Sequence, residues 1–447
     1  MNKKGILGLL NPVVLGTAVV IVAAFLLFNY FQDDSVYPDI KTKYDFKEVH
    51  LYHFNNIVEL YSDGRVDGLG SNHGYIEDRP YQFIVAHLVM FENTGDQAYL
   101  DQAVKNLNII ETRCQTDSDN NGFDDCKGYY WHDGTHRTAG WVADMFARGA
   151  YIIEKHEVDE YLDDAARWGK LVDEEFFPYF ETTWTPYEVN GEKLGYYLKD
   201  SRGIAQQFNR VSGVGSAYIW RWKATEDDKF KDVPERMLNR YFNERVNPRL
   251  DFNGTPYISV LYSWYDPSSG EAWYCDPSSE AANGYLCDGK TDSSHLNYEF
   301  EFIMVGYEEG LITEEELRLV SNSIKVMMSA GEGKVGDKST PLLYDRMAPP
   351  RKMYLDEATE RNIYRQTGTT YNFIRLGAMD EDLFYDFEEI LHNNELSGQL
   401  NGNYFSEYYR CVKDPQNNFV EFCASDGEYR VEPEAMMLTI ANAGRFQ

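Results

Sequence analysis

Residues 81–103 read YQFIVAHLVMFENTGDQAYLDQA. The first part is apolar or small on nearly every face, the composition of a helix buried all round. Glu92-Asn-Thr-Gly-Asp96 is a short polar turn whose Thr94-Gly-Asp sequence suits the start of a helix before Gln97. From Gln97 onward the chain is charged and amphipathic, the pattern of a helix with one face in water. One buried helix, a tight turn and one solvent-facing helix form a hairpin that cannot bury its apolar surface alone, so the same unit should recur.

It does recur. Amphipathic segments are predicted at 43–61, 97–113, 157–177, 226–246, 313–330 and 380–393. More apolar segments are predicted at 78–94, 136–154, 203–223, 293–309, 361–376 and 432–445. Six such pairs make an all-α (α/α)6 toroid of six helical hairpins, six inner helices ringed by six outer ones. Inner-to-outer turns are short, as in Glu309-Gly-Leu-Ile-Thr313, where Thr313 precedes Glu314–Glu316. Outer-to-inner connections are long, rich in Tyr, Trp, Asp and Gly, and carry the β-hairpin signals Asn121-Gly122, Asn190-Gly191 and Asn283-Gly284. The long loops therefore gather on one rim, at the amino-terminal ends of the inner helices, and long loops in a compact domain are where function sits.

The cysteines fall on the same rim. Cys114/Cys126, Cys275/Cys287 and Cys411/Cys423 are each separated by twelve positions and precede inner helices two, four and six. Even number and regular spacing predict three local disulfides in an exported protein, each contributing about 3 kcal/mol by loop closure. Zinc would call for CxxC or nearby His partners, and none flank these cysteines. The amino terminus agrees: Lys3 and Lys4 precede an apolar run from Ile6 to Phe31 with no small-x-small cleavage site. Residues 1–37 thus read as an uncleaved signal anchor, a single transmembrane helix, with a cleaved secretion signal as the alternative. Either places residues 38–447 outside the cell. The net charge of -31 excludes a phosphate backbone as the expected partner, since nucleic acids are held by Lys and Arg patches. Tyr, Phe and Trp number 34, 25 and 8, and such rings serve both for packing and for holding sugars.

The stretches Tyr81–Ala103 and Trp141-Val-Ala-Asp-Met-Phe-Ala-Arg-Gly-Ala150 resemble the (α/α)6-toroid carbohydrate-active enzymes, a group that includes unsaturated glucuronyl hydrolases, α-mannanases, uronate lyases and glucuronyl epimerases. The Thr-Gly-Asp-x-x-Tyr-Leu-Asp-x-Ala element marks the architecture and singles out no one family. The resemblance implies a glycan-active enzyme with a polysaccharide or glycoconjugate substrate. In the glucuronyl hydrolases an inner-helix Asp follows a Trp closely, and Asp144 after Trp141 is similar at a different offset.

Chemistry concentrates at the first turns of the inner helices. Arg79, His132, His136, Arg137, Arg202, Arg210, His295, Arg361, Arg365 and Arg430 stand there, against the helix dipole and in an acidic chain. Arg forks at helix ends suit carboxylate or sulfate groups. Trp131, His136, Arg137, Arg202, Gln206, Arg210, Tyr364 and Arg365 are the expected substrate contacts. On the fourth inner helix His295, Glu299 and Phe302 share one face while Glu301 turns away. Glu299 is the expected buried general acid, with Asp133, Asp144 or Glu432 as partner, the carboxyl pair of a glycoside hydrolase. His132, His136, His295, Tyr364 and Tyr371 beside Arg365 would instead support a uronate lyase or C5-epimerase. A cell-surface glycan-binding module without catalysis is the third reading. Finally, Asp117, Asp119, Asn121, Phe123 and Asp125 match the early positions of an EF-hand-like loop around Gly122, with Gly128 where the bidentate Glu would stand, and a structural Ca2+ is expected there.

Overall fold

The computed structural model describes residues 79–114, 136–198, 205–243, 247, 249–258, 264–266, 271–273, 293–335, 338–343, 373–380, 383, 412–413, 421–422, 438 and 441–442. All of them belong to the unit Tyr52–Gln447. They are mostly helical and arranged as helix hairpins, as an α/α toroid requires. Inner α1 (Arg79–Thr94) turns at Gly95 (φ 69°) into outer α2 (Gln97–Cys114). The side chain of Asp96 accepts from the Ala98 amide at 3.0 Å and so caps α2. Inner α3 (Arg137–Lys155) is followed by α4 (Leu162–Leu171), which runs through a π-turn at Val172–Phe176 into α5 (Phe177–Glu181). Inner α6 (Phe208–Thr225) pairs with outer α7 (Asp232–Phe242), and inner α8 (Ser293–Glu308) with outer α9 (Glu314–Ser323). Thr313 and Glu316 form a reciprocal capping box at α9.

Burial divides the helices as their patterns predict. Every residue of α3 from Thr138 to Ala150 is buried. The outer α7 buries only the stripe Val233, Pro234, Met237, Leu238, Arg240, Tyr241 and Phe242. Neighbouring inner helices α3 and α6 meet backbone to backbone: a Cβ on Gly140 would lie 2.9 Å from the Val214 nitrogen, and one on Gly213 would lie 2.8 Å from the Gly140 carbonyl carbon.

Outer-to-inner connections carry two-stranded antiparallel hairpins. β1 (Trp184–Val189) pairs with β2 (Glu192–Tyr197), and β3 (Arg249–Phe252) with β4 (Thr255–Ile258). Asn190-Gly191 (φ 55° and 84°) and Asn253-Gly254 (φ 53° and 85°) supply the two left-handed residues of a type I′ turn. Asn253-Gly254 is a hairpin signal of equal strength that sequence inspection missed. β5 (Trp264–Asp266) with β6 (Glu271–Trp273), β7 (Ser329–Val335) with β8 (Lys338–Leu343), and β9 (Val412–Lys413) with β10 (Glu421–Phe422) complete the set among the described residues.

Helix ends depart from expectation where local backbone bonding competes. The helix expected from 203 begins at Phe208, because Ala205 bridges Leu198 and Gln207 is extended. The helix expected over 226–246 spans only α7, since Glu226 is left-handed and Asp227 caps a 3-10 turn at Asp228–Phe230. At the end of the segment expected over 361–376, Phe373–Ala378 is a 3-10 helix. The segment 43–61 lies outside the described residues, as does most of 380–393 and 432–445. Among the described residues no helix is long and apolar enough to cross a membrane. The run Ile6–Phe31 lies outside them, as do the 117–125 loop and every cysteine but Cys114.

Replacing Gly213 by Ala forces a methyl into the α3 backbone. It should lower unfolding free energy by about 1–3 kcal/mol, measured by urea denaturation. An unchanged midpoint would mean that the helices separate freely.

Candidate functional site

Arg137, Trp141, Asp144 and Arg148 recur at helical spacing on α3, and Tyr298, Glu301 and Glu308 do so on α8. These stripes face one another. The Trp141 ring lies 4.5 Å from that of Tyr81 on α1 and 5.0 Å from that of Tyr298, and the Arg137 guanidinium stands 5.7 Å over the Tyr298 ring. Deeper along α3, the Tyr81 hydroxyl donates to Asp144 Oδ2 at 2.9 Å. Arg148 donates to Glu301 Oε1, and its guanidinium lies 4.7 Å over the Trp220 ring of α6. Arg375 of the 3-10 helix donates to Glu301 Oε2 at 3.0 Å and also to Glu308. Asp144, Arg148, Glu301 and Arg375 are at most 1% exposed, whereas Arg137 and Glu308 at the two ends are partly open.

Burial governs the protonation states. Removal from water pushes the Asp144 carboxyl up to about 7; Arg148 opposes this, Glu301 adds to it, and the hydrogen bond from Tyr81 opposes it. Burial alone would weaken the Arg148 guanidinium, but Glu301, Asp144 and Tyr81 overcome it and hold the group firmly charged. Tyr81 is raised well above its usual value by burial and then by Asp144, so it stays a donor. Trp220 on α6 adds a second hydrogen bond that favours the ionised Asp144, while Arg148 Nε and Nη1, both buried, have no protein hydrogen-bond partner among the described residues. Buried polar atoms are normally paired, so such atoms mark a place for hydrogen bonds from outside the fold.

The remaining predicted residues separate into framework and rim. The His136 amide donates to Gln206 Oε1 at 2.8 Å, and Gln206 Nε2 donates to the Leu198 carbonyl at 2.8 Å. Gln206 therefore closes the open end of α3 and ties it to the strand leaving β2. The His136 ring, 2.5 Å from Thr183 Oγ1, is boxed by Tyr179, Phe180 and Tyr197, and desolvation lowers it to about 3. It is thus a neutral structural imidazole. Arg210 donates to Gln207 Oε1 at 2.8 Å. Glu299 is buried, but it lies beside Tyr241 on outer α7, so the acid of α8 that reaches α3 is Glu301. The two are two residues apart and hence on opposite faces of one helix. Phe302 packs against Gly215 of α6, and the stripe of α8 that faces α3 begins at Tyr298. His295 lies in the first turn of α8. Trp131, Asp133, Arg202, Tyr364, Arg365 and Glu432 lie outside the described residues, as do the calcium-loop positions. Among the described residues no group of His, Cys, Asp and Glu is placed to hold a metal ion.

No family model matches the chain, and no curated protein does. Solved structures do. A D-mannose isomerase superposes with a TM-score of 0.53 at 12% identity, covering 92% of this chain and 99% of that one. An inactive variant of an α-1,6-mannanase from Salegentibacter sp. HEL1_6, in complex with α-1,6-mannotriose, gives 0.47 at 11% identity over 90% of this chain and 100% of that one. A glycosyl hydrolase family 88 protein from Bacteroides vulgatus gives 0.48 at 11% identity over 90% and 99%. These neighbours are (α/α)6-toroid carbohydrate-active enzymes. The likeness to the isomerase, the one of the three above 0.5, is a likeness of fold.

Asp144 binds its proton more tightly folded than unfolded, so ionising it weighs against the fold. Its contribution is full below its ordinary carboxylate value and is lost as pH rises through about 7. Asp144→Asn does not titrate. Relative to wild type, the variant should therefore gain on the order of a few kcal/mol between about pH 4 and about pH 8. Urea unfolding at both pH values measures it, and parallel stabilities would contradict the buried acid.

Proposed function

We propose that this chain is a glycan-active enzyme, a glycoside hydrolase acting on a uronate-containing or otherwise anionic polysaccharide, with Asp144 as its proton donor. One observation carries the reading: a fully buried carboxyl poised near neutrality beside the buried, unpartnered N–H groups of Arg148. A carboxyl that is still partly protonated at neutral pH can give its proton to a leaving sugar oxygen, which an ordinary surface Asp cannot. The fold likeness to a D-mannose isomerase supports a sugar-active enzyme, and the anionic character of the substrate rests on the rim arginines. Asp133, a few residues before α3, is assigned as the second carboxylate that glycoside hydrolysis requires. Arg137, with Arg202, Arg210, Tyr364, Arg365 and Trp131, is assigned to hold the anionic sugar at the rim.

The same poise supports a second reading. Ionised Asp144 beside Arg148 could take a proton next to a carboxylate, the step of a lyase or C5-epimerase. The full chain, solubilised in detergent, should be supplied with uronate-containing and neutral polysaccharides. New reducing ends without ultraviolet absorbance are expected for the hydrolase. Absorbance from an unsaturated uronate would move the assignment to the lyase, and solvent deuterium in an uncleaved polymer to the epimerase. Asp144→Asn should cut turnover by at least about 100-fold while keeping the fold. Full activity in that variant, or binding with no reaction of any kind, would overturn the assignment in favour of a glycan-binding module.

The proposal extends to the compartment. Residues 1–37 anchor the chain in the membrane with the toroid outside, and three twelve-spaced disulfides brace the rim loops. Asp117, Asp119, Asn121, Phe123 and Asp125 hold a structural Ca2+ within the first cystine loop. Non-reducing peptide mapping should return the three pairs, and chelation should lower the melting temperature. Free thiols or an unmoved melting point would remove the corresponding part.

A further inference from the structure

Five elements press on Asp144 or on the groups that face it. Tyr81 donates to it from α1, and Trp220 stands beside it on α6. Arg148 lies one turn further along α3, Glu301 acts from α8, and behind Glu301 stand Arg375 of the 3-10 helix and Glu308. Arg148 is therefore shared between two carboxyls. It touches Glu301 directly and acts on Asp144 through space. The orientation of Glu301 is itself determined, because its second oxygen accepts from Arg375 at 3.0 Å. The two fields superpose at Asp144: the guanidinium lowers its proton affinity and the Glu301 carboxylate, held against that guanidinium, raises it.

We propose that Glu301 is a positioning residue: by engaging Arg148 with one oxygen while Arg375 grips the other, it limits the positive charge that Asp144 feels and so sets the proton affinity of Asp144. With Glu301 in place Asp144 keeps its proton to near neutrality. Without that carboxylate the charge of Arg148 goes unopposed at Asp144, which ionises at lower pH and stops being an acid at working pH. The consequence for turnover rests on Asp144 being the proton donor. The proton affinity itself can be read without any substrate.

The readout is the infrared carbonyl stretch of the protonated Asp144 carboxyl, identified by its loss in Asp144→Asn and followed against pH in the full chain. Glu301→Gln, close to isosteric, should lower the titration midpoint by about one to three pH units. Arg148→Met should raise it. In the Arg148→Met background, Glu301→Gln should move the midpoint by less than it does alone, because the direct effect of the Glu301 charge remains while the part exerted by holding Arg148 in place is gone. An unmoved or raised midpoint in Glu301→Gln overturns the proposal, and so does an equal displacement in both backgrounds. Should Glu301→Gln not fold, Arg148→Met decides alone: a midpoint that fails to rise overturns it. If the chain proves inactive on every glycan, the midpoints still stand or fall by themselves.

Discussion

The Glu301 carboxylate is buried between two guanidiniums, and much of the fold answers to that arrangement. Taken alone, a carboxylate at this depth would lose its hydration and shed its charge by taking up a proton. Arg148 and Arg375 prevent this, and in doing so they bind α8 to α3 and to the 3-10 helix at Phe373–Ala378. Buried ion pairs of this kind add little net stability over a well-packed apolar replacement. Removing one partner, however, leaves a naked charge and costs about 3–5 kcal/mol. The network therefore acts as a condition on assembly: three segments far apart in sequence must arrive together for any of them to be buried.

Close packing makes that possible. The absence of side chains at Gly140 and Gly213 lets α3 and α6 touch through their backbones, which carries Trp220 of α6 up against Arg148. The outer helices hold ion pairs too, such as Arg167 with Glu111 and Asp164, but Arg167 is about half exposed and such pairs contribute little. Bidentate Arg221–Asp173, at 2.9 and 2.8 Å, joins α6 to the π-turn from a more sheltered position.

The alternation of buried and amphipathic helices was legible because periodicity reports burial directly. The β1–β2 turn and the α9 capping box were legible because Asn-Gly and Thr-x-x-Glu have local physical meanings. What escaped were contacts between helices. Arg148 sits in a run that reads as apolar; Asp144, one turn earlier, acts on it through space, but the carboxylate it touches is 153 positions away. Which acid of α8 meets α3 is not legible from α8 alone; it emerges only when the α3 stripe Arg137, Trp141, Asp144, Arg148 is set against the α8 stripe Tyr298, Glu301, Glu308. His136 illustrates the converse: a rim histidine next to an arginine looks available, yet Thr183 and three aromatic rings enclose it.

A fully apolar replacement of the Asp144–Arg148–Glu301 group would relieve the desolvation that the present fold sustains. The group makes physical sense where protonation must respond to charge. If the substrate is anionic, as proposed, its approach toward Arg137 adds negative potential on the side of α3 that already holds Asp144. Like charge raises the proton affinity of a carboxyl, so the complex would hold Asp144 protonated more firmly than the free protein does. The acid would then be most completely armed when substrate is present. A neutral sugar would bring no such gain, so on the proposed reading the arrangement would discriminate by charge at the step of proton transfer as well as at binding.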